Sequence, residues 1–216
     1  MLFRSEQLHC FIQEVIQRPV IVVVQGALLP VALELMADAT MAPWVVAAVL
    51  SGPPAWRLIA KPTAKWRQQL NWSLFASPLG WGFYQYARRR EFLESFSKRQ
   101  LFDRAEDVTD EWLTMLKQGS RDMATRYAVF SFLAGFWRQD YGAAIASIQK
   151  PILVIMGETA STIDRTVQDT TAQQRLTDYT SHFPHARGVT IPGRNVLPYE
   201  STAEFIHVLK PFVNKL

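Results

Sequence analysis

Apolar positions along this chain switch between two rhythms. In the first segment they recur at helical spacing, with Leu8, Phe11, Ile12, Val15 and Ile16 on one side of Gln7 to Gln17. Pro19 ends that helix. Val20 to Val24 is then an unbroken apolar run of strand length, bounded by Arg18-Pro19 and Gln25-Gly26. Pro30 suits the first turn of a helix and opens a second one over Val31 to Met36. Trp44 to Leu50 is again continuously apolar, as a strand covered on both faces should be, and Ser51-Gly-Pro-Pro54 closes it. From Ala55 to about Ser147 strand signals vanish and helical periods take over, punctuated by Pro62, Pro78, Gly80, Gly82 and Gly119. Inside that block, Thr109 followed by Asp110-Glu111 predicts a helix start. Strand patterns return at Pro151 to Met156 and Gly188 to Ile191, with a polar stretch of helix or loop over Asp164 to Thr180 between them. Ser201 to Val213 predicts a closing amphipathic helix, with Ala203, Phe205, Ile206, Leu209 and Phe212 inward and Ser201 and Glu204 spaced as a capping box.

Four apolar strands separated by helices imply an α/β fold with a parallel sheet covered on both faces. Residues 1–54 and 148–216 carry the strands and form the expected core. Residues 55–147 are the expected helical insertion. The 216 residues, 49% of them hydrophobic, suffice for one such core with an inserted subdomain.

The junction of the first strand and second helix is the most informative point. A strand, a tight turn and a helix in that order frame a nucleophile elbow, whose signature is G-x-S-x-G. The five positions here are Val24, Gln25, Gly26, Ala27 and Leu28. Gly26 stands where the nucleophile would, and it has no side chain.

Pro19 to Ala27, Val31 to Leu35, Leu50-Ser-Gly-Pro-Pro54, Lys150 to Glu158 and Ile191 to Glu200, in this order and spacing, resemble the α/β-hydrolase superfamily of lid-bearing esterases and lipases. The texture is similar to hydrolases of photosynthetic bacteria and plastids. The resemblance implies family strands five to eight of the sheet, with a helical cap inserted in residues 55–147. It also implies a Ser-Asp/Glu-His triad in chain order. The serine position is Gly26. The acid position, in a Gly-x-x-Asp pattern after the third strand, is Ala160. The histidine position, after Ile191-Pro-Gly, is Val196. No imidazole is left there to move a proton. The resemblance further implies that the first four family strands, and the loop supplying one oxyanion-hole N–H, are missing. That loss alone costs acyl transfer about 3 kcal/mol. Val20 to Val24 would then be an edge open to pairing with a second copy or another chain.

Two functions follow from the resemblance. One is a pseudohydrolase serving as a binding or assembly module for an apolar small molecule or a partner chain. The other is an esterase completed by a missing N-terminal segment or a partner and using a non-standard site. The expected pocket lining is Gln25, Ala27 and Ser51 from the core and Trp72, Phe75, Trp81 and Phe83 from the cap; packing among the cap's own helices is the competing role for these aromatics. Of other groups, His182 and His185 precede the last strand, at its opposite end from the site, and His207 falls on the closing helix. Asp164 lies four residues past Ala160, as a displaced acid would.

Composition narrows the rest. Formal net charge is +4 and the isoelectric point is near 9.3, yet no nucleic-acid motif accompanies that charge. The tightest basic cluster, Arg88-Arg89-Arg90 with Lys98-Arg99, reads as a solvated helix face or as a contact for an anionic surface; Trp and Tyr beside it fit peripheral membrane contact. Cys10, the single cysteine, fits a reducing, cytoplasmic compartment and is expected to be a small core residue. The N-terminus lacks a secretory signal, and no apolar run approaches a membrane span. Neither metal-ligand spacing nor a Gly-rich phosphate loop is present, so no cofactor is implied.

Overall fold

The computed structural model describes residues 2–160 and 170–216. In chain order its regular elements are α1 (Leu2–Phe11), β1 (Val20–Gln25), α2 (Leu29–Ala37), β2 (Val45–Ser51), α3 (Arg57–Ala60), α4 (Lys65–Ala76), α5 (Pro78–Ala87) and α6 (Arg90–Phe96). They continue with α7 (Asp110–Gly119), α8 (Arg126–Leu133), α9 (Gly142–Ser147), β3 (Ile152–Gly157), α10 (Ala172–His182), β4 (Ala186–Ile191), α11 (Leu197–Glu200) and α12 (Thr202–Val213). Two compact units result, residues 1–60 with 140–216 and residues 61–139.

The first unit holds a sheet in the order β1-β2-β3-β4, parallel throughout. This is the α/β fold with a four-stranded parallel sheet that the alternation of strands and helices implies. β3 and all of β2 but Val46 are buried, which is why both read as unbroken apolar runs. β1 alternates instead: Val22 and Val24 are buried and Val23 is exposed. Among the described residues β1 pairs with β2 alone, so its other side is an edge. On one face of the sheet Val49, Leu153, Ile155 and Ile191 pack against Leu197 and Phe205.

The sheet unit extends further than the texture of the sequence indicates, to Ala60 and again from Asp140. α3 and α9 bury Ile59 and Ile145, and the Tyr141 N–H donates to the Ile59 carbonyl at 3.0 Å. Four expectations fail. Along α1 and the π-helical turn after it, Ile12 is buried but Phe11 and Val15 are exposed. The Ser5 hydroxyl donates to the Glu34 carboxylate on α2 at 3.0 Å, so the seated line runs through Ser5 and Ile12, two turns apart. Cys10 lies off that line and is exposed, not core. On α12 the buried side is Phe205, Val208, Leu209 and Phe212 (positions i, i+3, i+4 and i+7), which leaves Ala203 and Ile206 outside. Ser201 forms no capping box, because its hydroxyl donates instead to the Pro192 carbonyl at 2.6 Å.

Residues 61–139 are helical. Phe130 is fully buried at their centre, with Phe75 stacked on it at 4.9 Å and Tyr84 edge-on at 5.8 Å. Thr109 caps α7 by accepting the Trp112 N–H at 3.2 Å, and Asp110 and Glu111 occupy the dipole's positive end, as the sequence predicts. The Trp112 indole donates to the buried Ser97 hydroxyl at 3.0 Å. Among the described residues no helix is long and apolar enough to cross a membrane.

A pH response follows from the sheet unit. The fully buried Tyr179 donates its hydroxyl to the Pro54 carbonyl at 2.7 Å, and burial pushes its phenol well above the usual range. Burial likewise pushes Tyr141 up to about 12. Below about pH 10 both tyrosines are neutral in either state, and their contribution is fully present. As pH rises past that point the unfolded chain loses these protons while the folded chain keeps them, so stability falls. For Tyr179 the expected slope is about 1.4 kcal/mol per pH unit. Urea midpoints between pH 9 and 11.5 (roughly spanning the free tyrosine value) are expected to drop in the wild type and to drop less in Tyr179→Phe. Parallel curves for the two proteins would refute the assignment.

Candidate functional site

Because the four strands are parallel, their carboxyl ends share one edge of the sheet, where ligands of open α/β sheets bind. β1 ends at Gln25, and Gly26 follows with φ of +54°, a left-handed value that glycine adopts without strain. A short 3₁₀ turn over Gly26–Leu28 then leads into α2, with Pro30 in its first turn. The strand, tight turn and helix of an elbow are all present. A Cβ added at Gly26 would meet only the Gly52 carbonyl oxygen, at 3.9 Å, so crowding does not dictate the glycine.

Ser51 ends β2, in register with Gln25 on one side and Ile155 on the other. It is fully buried, and its hydroxyl has no hydrogen-bond partner among the described residues. Gly52 follows at φ +50°, donating its N–H to the Ile155 carbonyl at 2.8 Å.

The loops after β3 and β4 interlock. The Glu158 N–H donates to the Ile191 carbonyl at 2.9 Å. The Thr159 N–H and hydroxyl both donate to the Gly193 carbonyl, at 3.1 and 3.0 Å. Gly193 has φ of +113° and backs onto Glu200, whose carboxylate accepts the Arg194 N–H at 2.8 Å. The elbow joins this cluster through the Gln25 side-chain amide, which donates to the Asn195 carbonyl at 2.8 Å.

The sequence-identified positions fall as follows. Gly26 is in the elbow turn and Ala27 is half-buried beside it. Ala160 closes the turn after β3, its N–H donating to the Gly157 carbonyl at 3.0 Å. Val196 is buried just before α11, its carbonyl accepting the N–H groups of Tyr199 and Glu200. The structure thus gathers Gln25, Gly26, Ala27, Ser51, Ala160 and Val196 at the carboxyl edge. Trp72, Phe75, Trp81 and Phe83 belong to the helical unit. There Trp72 meets Phe136 at 5.7 Å, Phe75 and Phe83 pair with Phe130, and Trp81 is exposed. His182 stacks on Trp56 at 4.0 Å, His185 reaches Gln149 at 3.1 Å and His207 is exposed on α12. Asp164 lies outside the described residues. Among the described residues no three His, Cys, Asp or Glu side chains converge as a cation site.

The sequence profile of the alpha/beta hydrolase family matches residues 3–208. The chain belongs to the alpha/beta hydrolase family. Solved structures agree with that membership at the level of the fold. A thermophilic esterase from Thermogutta terrifontis superposes with a TM-score of 0.66 at 12% identity, over 98% of this chain and 71% of that one. A bromoperoxidase from Bacillus anthracis gives 0.67 at 15% identity, over 97% and 72%. A 2-hydroxy-6-oxo-6-phenylhexa-2,4-dienoate hydrolase from Rhodococcus sp. strain RHA1 gives 0.62 at 13% identity, over 98% and 69%. Comparison with curated proteins gives no significant match. In this alpha/beta hydrolase the features that sequence alone does not disclose are the Gln25 bond to Asn195 and the Thr159 grip on Gly193. Both join residues far apart in the chain, the first by 170 positions, and no local pattern signals such a pair.

Proposed function

We propose that this protein is a non-catalytic member of the hydrolase family, a pseudohydrolase whose elbow edge serves binding or assembly. The observation that carries the reading is the elbow turn with Gly26 at its apex. Its backbone has the left-handed bend of the turn and room for a Cβ, but no nucleophile. Ala160 and Val196, which take the acid and histidine positions of the resemblance, offer a methyl group and an isopropyl group. Neither can orient an imidazole or carry a proton. The Gln25 amide instead holds the Asn195 carbonyl, one residue before Val196, in a fixed polar contact.

Ser51 favours a second reading, a hydrolase with a relocated nucleophile, since its buried hydroxyl at the carboxyl edge has no partner among the described residues. Against it, a serine without an adjacent base is a weak nucleophile, and the His182 and His185 side chains belong to the opposite end of β4. One experiment separates the two. Wild type, Ser51→Ala and Gly26→Ser are each exposed to a fluorophosphonate probe and assayed with short p-nitrophenyl esters. No labelling and no turnover above the buffer rate are expected for all three, including Gly26→Ser, which regains a hydroxyl but no base. Labelling of the native wild type that disappears on heat denaturation would overturn the proposal, and its loss in Ser51→Ala would install the second reading. For assembly, the open side of β1 with exposed Val23 is the pairing surface. Light scattering at micromolar concentration is expected to show self-association, and a strict monomer would remove that part of the proposal.

A further inference from the structure

The helical unit carries an apolar ridge that its own core does not use. Trp66, Leu70 and Leu74 lie at i, i+4 and i+8 on α4, and Leu79 and Trp81 continue past the turn at Ser77-Pro78. These five side chains are between 51% and 74% exposed. The opposite side of the same hairpin holds the ordinary core contacts, Phe75 and Tyr84 against Phe130. Large apolar groups facing outward, three of them in helical register along α4, are unusual for a surface that meets only water.

Charge follows the same unit. Residues 61–139 contain 13 of the 23 lysines and arginines but 8 of the 19 acidic residues, a net of +5, while the remaining residues net −1. A depression of about 610 Å³ at the junction of α5 and α6 is lined by Gln85, Arg88, Arg89, Arg90, Glu91 and Lys117. Arg90 pairs with Asp110. Arg88 donates to the Arg121 carbonyl at 3.4 Å, and the Arg89 guanidinium lies over the Tyr86 ring at 5.9 Å. Among the described residues neither of these arginines nor Lys117 pairs with a carboxylate.

We infer that the α4–α5 hairpin and the basic α5–α6 junction form a docking surface for an anionic lipid bilayer. Tryptophan and leucine of the hairpin enter the headgroup boundary, and Arg88, Arg89 and Lys117 of the junction, which pair with no carboxylate among the described residues, meet lipid phosphates. Charge decides against a second copy as the occupant, since closing the ridge on itself would bring two units of +5 together. The inference is independent of whether the elbow is catalytic.

The 216-residue chain is sedimented with vesicles of phosphatidylcholine alone and of phosphatidylcholine mixed with phosphatidylglycerol. Binding is expected on the anionic vesicles at low salt, with weaker binding to the neutral ones. It is expected to fall at 1 M salt, where screening acts within about 3 Å. The variant R88Q/R89Q/K117Q is expected to bind anionic vesicles roughly a hundredfold more weakly, at about 1 kcal/mol per charge. W66S/L70S is expected to weaken binding to both vesicle types while keeping the salt dependence. Among the described residues the side chains of Arg89, Lys117, Trp66 and Leu70 make no tertiary hydrogen bond or ion pair, so circular dichroism is expected to show folded variants. No binding to anionic vesicles at low salt would overturn the proposal. So would equal binding by the charge variant, or a dimer in solution that W66S/L70S converts to a monomer.

Discussion

Replacing Gly80 with alanine is expected to destabilise the helical unit by about 3 kcal/mol or more, the upper range for overpacking. Gly80 is buried in the first turn of α5, where that helix crosses the end of α4. A Cβ there would fall far inside contact distance of the Phe75 carbonyl oxygen and 2.7 Å from the Phe75 Cα. The obstacle is backbone, so no rotamer change relieves it. The connection offers little slack, because Ser77 alone separates the two helices. Its hydroxyl donates to the Leu74 carbonyl at 2.6 Å and accepts the Leu79 N–H at 3.2 Å. Gly82, two residues on in the same helix, is the internal control: a Cβ there meets nothing within 4 Å. Gly82→Ala is expected to stabilise by up to about 1 kcal/mol through helix propensity. Urea denaturation followed by far-ultraviolet circular dichroism measures both. Equal midpoints for the two variants would show that the helices do not approach at Gly80.

Both glycines are plain in the sequence, but only one is indispensable, and nothing local tells them apart. The same contrast runs through the molecule. β2 and β3 are readable because strands buried on both faces must be apolar at every position, a requirement met residue by residue. The cap of α7 is readable because Thr109 and Trp112 are three residues apart. The seated face of α1 is not readable, since it depends on Glu34 across a helix interface, and the apolar stripe through Phe11 and Val15 points elsewhere. Ser201 and Glu204 have capping-box spacing, yet the hydroxyl finds a better partner in Pro192, nine residues upstream. At the candidate site, the elbow turn is legible because its strand, glycine and helix are contiguous. The polar tie that joins the elbow to the β4 loop is not.

That tie gives the site its second large expectation. Gly157→Ala is expected to cost about 3 kcal/mol or more and to loosen the whole carboxyl edge. Gly157 is the last residue of β3, paired with Ile191. A Cβ on it would run into the carbonyl oxygens of Gly193 and Arg194 and lie 2.9 Å from the Gly193 carbonyl carbon. Those carbonyls have little room to retreat. Gly193 is held by Thr159 on one side, and a Cβ on Gly193 itself would lie 3.0 Å from the Glu200 carboxylate and 3.1 Å from the Ser201 hydroxyl. Displacing the loop would also carry Asn195 away from Gln25 and so release the elbow. Thr159→Val separates crowding from bonding, since it removes one hydroxyl bond without adding bulk against the loop, at an expected cost of about 1 kcal/mol. Urea midpoints rank the variants, and amide exchange at Gly26 to Leu28 reports on the elbow. Faster exchange there in Gly157→Ala, under conditions where the fold persists, is the result expected if Gln25 links the two loops. Unchanged exchange at Gly26 alongside a lowered midpoint would mean that the elbow stands on α2 alone.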